Sequence, residues 1–349
     1  MEHFIVERHT RLSRIGQVAG LVGVCAIVAM PWWAGRPEQH LMAEVLYTIA
    51  LAQMWNLLAG YGGIISIGQQ VYIGVGAYSL VALGLGAGIN PFLVIPIAGI
   101  VCAVLAIPLA ALLFRLKGAH LAVGTWVVSE VFRLLVSNTE ALGGGSGLSV
   151  IATMRGMPTW WREATTLWVA AILGIGACAV VYAVLRSRYG LALTAVRDNE
   201  IAARSLGVPT GKIKWVVYIG SAAGCGMLGA LIFVTKLRVS PDAAFSIDWS
   251  TLMLFTVVIG GIGTIDGPIV GALLYFVLRQ SLGDLGVWYQ IVMGVLAIVF
   301  MIWCSKGIWG RCASGRNMSI FPTRMRIVID PDRNRAAGPE MQINSTETP

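Results

Sequence analysis

The feature that most constrains this chain is a series of apolar stretches close to twenty residues long, several with at most one charge. A helix needs roughly 20 apolar residues to cross a hydrocarbon core of about 30 Å. Ten such windows occur, at 15–33, 42–60, 64–87, 92–114, 118–137, 166–185, 215–235, 250–265, 268–282 and 287–304. Only 12% of the residues are charged, against about 25% in soluble domains. The sequence predicts an all-α polytopic membrane protein with about ten transmembrane helices, some of them short or broken.

Two glycine-rich clusters fall within these windows, and they share the pattern G-G-I-x-[ST]-I at 62–67 and 260–265. In one interpretation the glycines let helices pack closely. In the other they break helices beside a substrate pathway, as transporters often do. The candidate pathway residues are Gly62, Gly63, Gln69, Gln70, Tyr72, Gly260 and Gly261.

The basic residues predict an orientation. With the N-terminus inside and ten crossings, eighteen Lys and Arg residues fall on inside segments and six on outside segments. This bias follows the positive-inside rule. We therefore expect a cytoplasmic arm at 1–14, a transmembrane domain at 15–304 with a cytoplasmic loop at 186–214, and a cytoplasmic tail at 305–349. The tail has no apolar periodicity and is predicted to be disordered.

Nothing in the sequence predicts bond-making chemistry. The six cysteines form no C-x-x-C pair, and the four histidines lack the spacing of metal ligands. The spans contain no paired carboxylates and no nucleophile elbow. We expect this chain to have no catalytic residue, no metal site and no bound cofactor.

The charged stretch "RDNEIAARSLGVPTGK" at 197–212 interrupts this apolar sequence. It is not a phosphate-binding loop, because only three residues separate its glycines and isoleucine follows the lysine. Instead it predicts a short helix capped by Asp198 or Asn199 and ended by Gly207. Ala202 and Ala203 would form a smooth knob for another protein's cleft, and the residues available for flanking ion pairs are Arg197, Glu200 and Arg204. The alternative is an amphipathic helix on the inner leaflet.

Glu130 and Arg133 lie within a predicted span. Inserting a charged side chain there costs about 2.5–3.5 kcal/mol of free energy unless the charge is paired or hydrated. Their i, i+3 spacing allows them to pair on one helix face. They form either a structural ion pair or part of the gating or substrate path.

Four segments resemble the branched-chain amino acid ABC importer permeases of the LivM type. They are "WNLLAGYGGIISIGQQVYIGVGAY" (55–78), "LKGAHLAVGTWVVSEVFRLLVSNTEALGGGSGL" (116–148), "YGLALTAVRDNEIAARSLGVPTGKIKWVVYIGSAAGCGMLGAL" (189–231) and "VVIGGIGTIDGPIVGALL" (257–274). The likeness runs from about residue 42 to residue 304 in the same order and at similar spacing. Only the N-terminal arm and the tail lie outside it.

The resemblance implies a permease subunit that works by alternating access in a bacterial inner membrane, with both termini cytoplasmic. Its implied partners are two ATPase subunits that hold ATP and Mg²⁺, a LivH-like sister permease, and a periplasmic substrate-binding protein. It also implies a coupling helix for the ATPase, made by Asp198, Asn199, Glu200, Ala202, Ala203 and Gly207. The broader importer pattern of Glu-Ala-Ala, three residues and Gly is matched except at its glutamate, which lies one place early at Glu200.

Two alternatives remain at this point. A self-contained ion-coupled secondary transporter or channel would need buried carboxylates, and the spans offer little beyond Glu130. Within the importer interpretation, relatives of these permeases carry other amino acids, short amides or urea, and no residue here decides among them.

Overall fold

The computed structural model describes residues 4–7, 11–282, 288–303, 307–316 and 326–329. The helices are α1 (Arg11–Trp33), α2 (Arg36–Asn56), α3 (Gln70–Ser79), α4 (Pro91–Leu113), α5 (Ala119–Ser137), α6 (Thr159–Arg186), α7 (Arg188–Asp198), α8 (Glu200–Ser205), α9 (Thr210–Lys236), α10 (Pro241–Ala244), α11 (Asp248–Gly260), α12 (Asp266–Leu282), α13 (Trp288–Trp303) and α14 (Gly307–Arg316). π-Helical turns extend α2 through Leu57–Tyr61 and α3 through Leu80–Gly86. The strands are β1 (Phe4–Glu7), β2 (Leu148–Ser149), β3 (Arg238–Val239) and β4 (Arg326–Ile329).

Each of the ten predicted windows contains a helix. Among the described residues, six helical stretches are long and apolar enough to cross a membrane: Arg36–Tyr61, Pro91–Leu113, Ala119–Ser137, Thr159–Arg186, Thr210–Lys236 and Pro241–Gly260. Val22–Trp33 and Gln70–Gly86 are shorter apolar helices. The prediction of an all-α polytopic membrane protein with short and broken helices is confirmed.

The core of the bundle is built around α9. This helix packs along α3 and α4, while α2 packs along α6. The largest side chains that are fully buried include Tyr72 on α3, Phe233 on α9 and Leu51 on α2. By contrast, only Ala122, Thr125 and Ser129 of α5 are buried, and the principal contact of α1 is with α6. The central helices thus form a scaffold that peripheral helices surround.

Both glycine clusters interrupt helices, as one of the two interpretations expected. The first break, at 62–69, separates the π turn after α2 from α3, and Gly63 in it has φ +66°. The second break, at 261–265, separates α11 from α12 and contains Gly261 with φ +135° and Gly263 with φ +74°. Residues that carry a Cβ atom rarely adopt a positive φ, so glycine is required at these positions.

Close packing also occurs at the second glycine cluster, so both interpretations of these residues hold in part. A Cβ added at Gly260 would overlap the Gly267 carbonyl group, and a Cβ at Gly271 would overlap the Thr256 carbonyl group. The absence of these side chains lets α11 and α12 approach closely. Whether the breaks lie beside a substrate pathway stays a prediction.

Amide side chains of α2 satisfy the backbone of the second break. The Asn56 Nδ2 group donates to the Thr264 carbonyl oxygen at 2.8 Å, and its Oδ1 atom accepts from the Gly263 N–H at 2.9 Å. One turn earlier, Gln53 Nε2 donates to the Ile265 carbonyl oxygen at 2.7 Å. Interrupted backbone inside a membrane needs such partners, because lipid offers none.

The tail differs from its predicted disorder in the part that the structure describes. Helix α14 occupies Gly307–Arg316 and packs against α11 and α12. Its first residue, Gly307, is buried, and a Cβ there would overlap backbone atoms of Gly260 and Gly261. Strand β4 pairs antiparallel with β1, with Phe4 opposite Ile329. Contacts with distant segments thus order residues that lack apolar periodicity; the rest of the tail lies outside the described residues.

The Asn56 contacts generate the first prediction. Asn56→Leu removes a donor and an acceptor and leaves the Thr264 carbonyl and the Gly263 N–H without protein partners, which should cost about 1–3 kcal/mol. We expect a lower midpoint of thermal unfolding in detergent. The control is Asn138→Leu, which removes an exposed bond to the Leu134 carbonyl oxygen. Equal midpoints for the two variants would contradict the role given to Asn56.

Candidate functional site

Two short helices, α7 and α8, lie between the long helices α6 and α9, and the charged stretch covers the end of α7, all of α8 and the start of α9. Asn199 is the residue that caps α8, since its Oδ1 atom accepts from the Ala202 N–H at 3.0 Å. Gly207, with φ +81°, follows the helix and turns the chain toward α9. We call these two helices the α7–α8 pair. The predicted cap and glycine stop are confirmed, with Asn199 rather than Asp198 as the cap.

The predicted alanine knob needs correction. Ala202 is exposed, but Ala203 is only 3% exposed and faces inward. The exposed face of α8 instead carries Ile201, which is 81% exposed, and Leu206 follows the helix at 84%. Large apolar side chains in an otherwise charged segment were a sequence signal for a binding surface, and the emphasis on the alanines missed it.

The acidic residue of α8 is bonded within the chain. Glu200 Oε2 lies 2.6 Å from Lys214 Nζ on α9, and Glu200 Oε1 lies 3.4 Å from Arg204 Nη2. The hydrogen bond from Lys214 lowers the pKa of the Glu200 carboxyl. The charge of Glu200 therefore ties α8 to the first turn of α9, while Arg204 remains largely exposed.

Arg197 joins the α7–α8 pair to both helix breaks. Its Nη1 atom donates to the Gly60 carbonyl oxygen at 2.9 Å, and its Nε atom donates to Asp198 Oδ1 at 2.9 Å. The stem of the side chain lies against Gly63, where an added Cβ would be 3.2 Å from Arg197 Cγ. A Cβ at Gly263 would be 3.4 Å from Arg197 Nη1. The sequence assigned Arg197 to a partner's surface, but its guanidinium bonds the π turn just before this chain's own first break, and its stem lies against Gly63 in that break.

The polar residues after the first break differ in their surroundings. Gln70 Nε2 donates to Ser129 Oγ at 2.9 Å, and Gln70 Oε1 accepts from the Ser250 hydroxyl. Tyr72 is fully buried, and its hydroxyl donates to the Tyr218 hydroxyl at 2.9 Å. Gln69 is also fully buried, yet neither atom of its side-chain amide has a hydrogen-bond partner among the described residues. Of the three, Gln69 therefore retains unused hydrogen-bonding capacity.

Glu130 and Arg133 form the predicted ion pair, and a third residue joins them. Arg133 Nε donates to Glu130 Oε1 at 2.9 Å, and Arg133 Nη1 donates to Asp242 Oδ1 at 2.6 Å. Asp242 belongs to α10, so the arginine ties α5 to the segment that precedes α11. Arg133 thus pairs with two carboxylates, and sequence spacing gave no sign of Asp242. Whether the pair is structural or takes part in gating stays a prediction.

The predicted site residues thus fall into separate groups. The breaks at Gly62, Gly63, Gly260 and Gly261 meet the α7–α8 pair near Arg197, whereas Glu130 and Arg133 contact α10. In the part of the chain that the structure describes, no group of three His, Cys, Asp or Glu side chains could hold a metal ion. The roles of these residues stay predictions.

A bundle of helices long and apolar enough to span a membrane, with two breaks whose backbone groups bond other parts of the chain and a charged helix pair beside them, is typical of a membrane permease. The chain belongs to the family described as branched-chain amino acid transport system / permease component, whose model matches residues 40–301. The resemblance noted in the sequence is thereby confirmed.

Individual relatives agree with this family. The chain is 29% identical over 322 residues to the high-affinity branched-chain amino acid transport system permease protein LivM of Escherichia coli K12, covering 85% of this chain and 76% of the relative. It is 26% identical over 294 residues to the probable LivM protein of Methanocaldococcus jannaschii, covering 73% and 83%. It is also 31% identical over 148 residues to the ribose import permease protein RbsC of E. coli K12, covering 40% and 44%. No solved structure matches the chain.

Gln69 generates the second prediction. Gln69→Met removes two buried polar atoms that lack protein partners, so the variant should be at least as stable as the wild type. We expect the amide to contact solute during passage, so uptake should fall about tenfold in the variant. A tenfold change corresponds to the loss of one hydrogen bond of about 1.4 kcal/mol. The measurements are thermal unfolding and solute uptake. The control is Gln39→Met, since Gln39 is also buried and its Oε1 atom also lacks a partner among the described residues, although its Nε2 atom donates to the Ala34 carbonyl oxygen. A less stable protein with unchanged uptake would show that Gln69 is structural only.

Proposed function

We propose that this protein is the permease subunit of an ABC importer that carries branched-chain amino acids across the bacterial inner membrane, driven by separate ATPase subunits. The observation that carries the proposal is the α7–α8 pair, which presents Ile201 and Leu206 on its exposed surface and reaches the first break through Arg197. One short segment thus contains both an exposed apolar surface for an external partner and a hydrogen bond to the membrane domain.

The contacts suggest how force would travel. Closure of the ATPase subunits on ATP would move α8, and the Glu200–Lys214 bond would pass that movement to α9. Arg197 would pass it to the Gly60 carbonyl at the end of the π turn before the first break. Because Asn56 bonds both Gly263 and Thr264, the second break would move with α2. The two breaks would then serve as hinges for alternating access.

The proposed substrate follows from the relatives. Those whose names specify branched-chain amino acids are 29% and 26% identical to it over 85% and 73% of this chain. The ribose permease covers only 40% of the chain, and the autoinducer 2 import permease LsrC, which covers 86%, is only 22% identical. Urea or short amides are the alternative substrates.

The proposed partners are two ATPase subunits, a LivH-like sister permease and a periplasmic binding protein. In this arrangement the chain itself performs no catalysis, and its termini and the α7–α8 pair lie in the cytoplasm.

The geometry gives little support to a self-contained ion-coupled carrier. Such a carrier needs an acidic group that takes up and releases a proton or sodium ion in the membrane. Glu130, the main candidate, is bonded to Arg133, which also bonds Asp242. A carboxylate held in this way is poorly suited to an ion-binding cycle.

The exposed face of α8 generates the third prediction. Because Ile201 and Leu206 are each more than four-fifths exposed, Ile201→Asp and Leu206→Asp should leave the stability of the permease unchanged. Each change would place a charge in the proposed apolar contact with an ATPase subunit. We expect co-purification of the ATPase subunits and ATP-dependent leucine uptake to fall about tenfold or more.

The matched control is Ile151→Asp, since Ile151 is 55% exposed and lies beside β2, whose partner β3 follows the far end of α9. This variant should bind the ATPase subunits normally. Normal co-purification and uptake for both α8 variants would argue against the coupling role of this surface.

A further inference from the structure

A cavity of about 910 Å³ lies at the end of the bundle remote from the α7–α8 pair. It is lined by residues of α2, α10, α11, α12 and α13 and by Lys236, the last residue of α9. Helix α9 starts beside α8 and has 27 residues, so the cavity lies roughly 40 Å from the proposed ATPase surface. We call it the distal cavity.

Charged groups of both signs line the distal cavity, and most are already paired. Arg279 Nη1 lies 2.8 Å from Glu44 Oε2, and Asp242 is bonded to Arg133. Lys236 and Asp248 differ, because neither has an opposite charge within ion-pair distance among the described residues. The cavity therefore offers one available ammonium group and one available carboxylate.

Lys236 is held in place by aromatic rings. Its Nζ atom lies 4.6 Å from the ring centre of Trp249 and 5.7 Å from that of Phe233. A cation over an aromatic face is attracted to the ring and keeps its charge available to an anion. This arrangement orients the ammonium group without neutralising it.

Thr48 adds a hydrogen-bonding group to the same wall. It is only 1% exposed, it lines the cavity, and its hydroxyl has no hydrogen-bond partner among the described residues. A buried hydroxyl without a partner costs free energy, which a bound ligand would offset. Leu252, Phe255 and Phe276 supply apolar surface beside these polar groups.

We propose that the distal cavity binds a free α-amino acid with an apolar side chain during transport. Lys236 binds the carboxylate, Asp248 binds the ammonium group, Thr48 completes the hydrogen bonding, and the apolar wall receives the side chain. A neutral sugar offers no charged group to Lys236 or Asp248, so the cavity favours a zwitterion. This inference rests on the proposed function and extends it to a site within the permease itself.

The test uses the complete permease–ATPase complex in lipid nanodiscs, without the binding protein. The measured quantity is the shift of the thermal unfolding midpoint with L-leucine, compared with L-leucinamide, 4-methylpentanoate and D-ribose. We expect L-leucine to raise the midpoint. The two analogues that lack one charge should need at least about tenfold higher concentrations, and D-ribose should have no effect.

Lys236→Gln and Asp248→Asn should each weaken L-leucine binding about tenfold or more, while Lys236→Arg should retain most of it. The control is Arg238→Gln, which removes a charge from the same end of the bundle but contacts the Ser146 carbonyl oxygen outside the cavity. If Lys236→Gln does not fold, L-leucine binding is compared between Asp248→Asn and the wild type, since Asp248 is exposed and its substitution should not disturb folding.

ATP-driven leucine uptake by the same wild-type complex, with its binding protein added, separates the two proposals. Uptake in the wild type together with unchanged leucine binding in both cavity variants, or with no leucine effect on the midpoint, would overturn the cavity site and leave the proposed function intact. Failure of the wild-type complex to transport leucine would overturn the proposed function and this inference with it.

Discussion

The structure depends on one constraint: backbone groups exposed by a broken helix must find partners inside the protein, because a membrane supplies none. Asn56 and Gln53 meet this requirement at the second break, where they bond three consecutive residues, Gly263 to Ile265. Arg197 meets it at the first break by bonding the Gly60 carbonyl oxygen. These contacts bring together segments that lie up to 212 residues apart.

Because Arg197 supplies one of these partners, the α7–α8 pair is bonded directly to the membrane domain. A hydrogen bond to a charged group contributes about 1.5–3 kcal/mol, roughly twice a neutral one, so Arg197 is a firm connection to the first break. Glu200 and Lys214 form a second connection, to α9. A force on the exposed Ile201 and Leu206 therefore has two defined routes into the bundle. The glycines at the first break allow the backbone to move where the Arg197 route ends.

Local sequence patterns predicted the features that depend on neighbouring residues alone, namely the positions of helices, breaks and helix ends. The lengths of the apolar windows located the helices, the paired glycines located both breaks, and the Asn199 cap and Gly207 stop followed from helix-end chemistry. Contacts between distant residues were not predictable in this way. The bond from Arg197 to Gly60 spans 137 residues and that from Arg133 to Asp242 spans 109.

The burial of Ala203 and the order in α14 also depend on tertiary packing rather than on local sequence. An isolated six-residue helix has two equivalent alanines, and only packing against neighbouring helices decides which one is exposed. Helix α14 has little apolar periodicity, and it is fixed by the approach of Gly307 to the second break. Sequence reasoning thus located the candidate site but gave the wrong exposed surface for it.

The most direct measurement of the central claim is the amount of leucine accumulated per ATP hydrolysed in proteoliposomes, for wild type and Arg197→Ala. We predict that the wild type accumulates leucine only with its ATPase subunits and ATP. The variant should keep those subunits and hydrolyse ATP, yet accumulate far less leucine per ATP. Equal accumulation per ATP in the two proteins, or accumulation by the wild-type chain alone, would contradict the account.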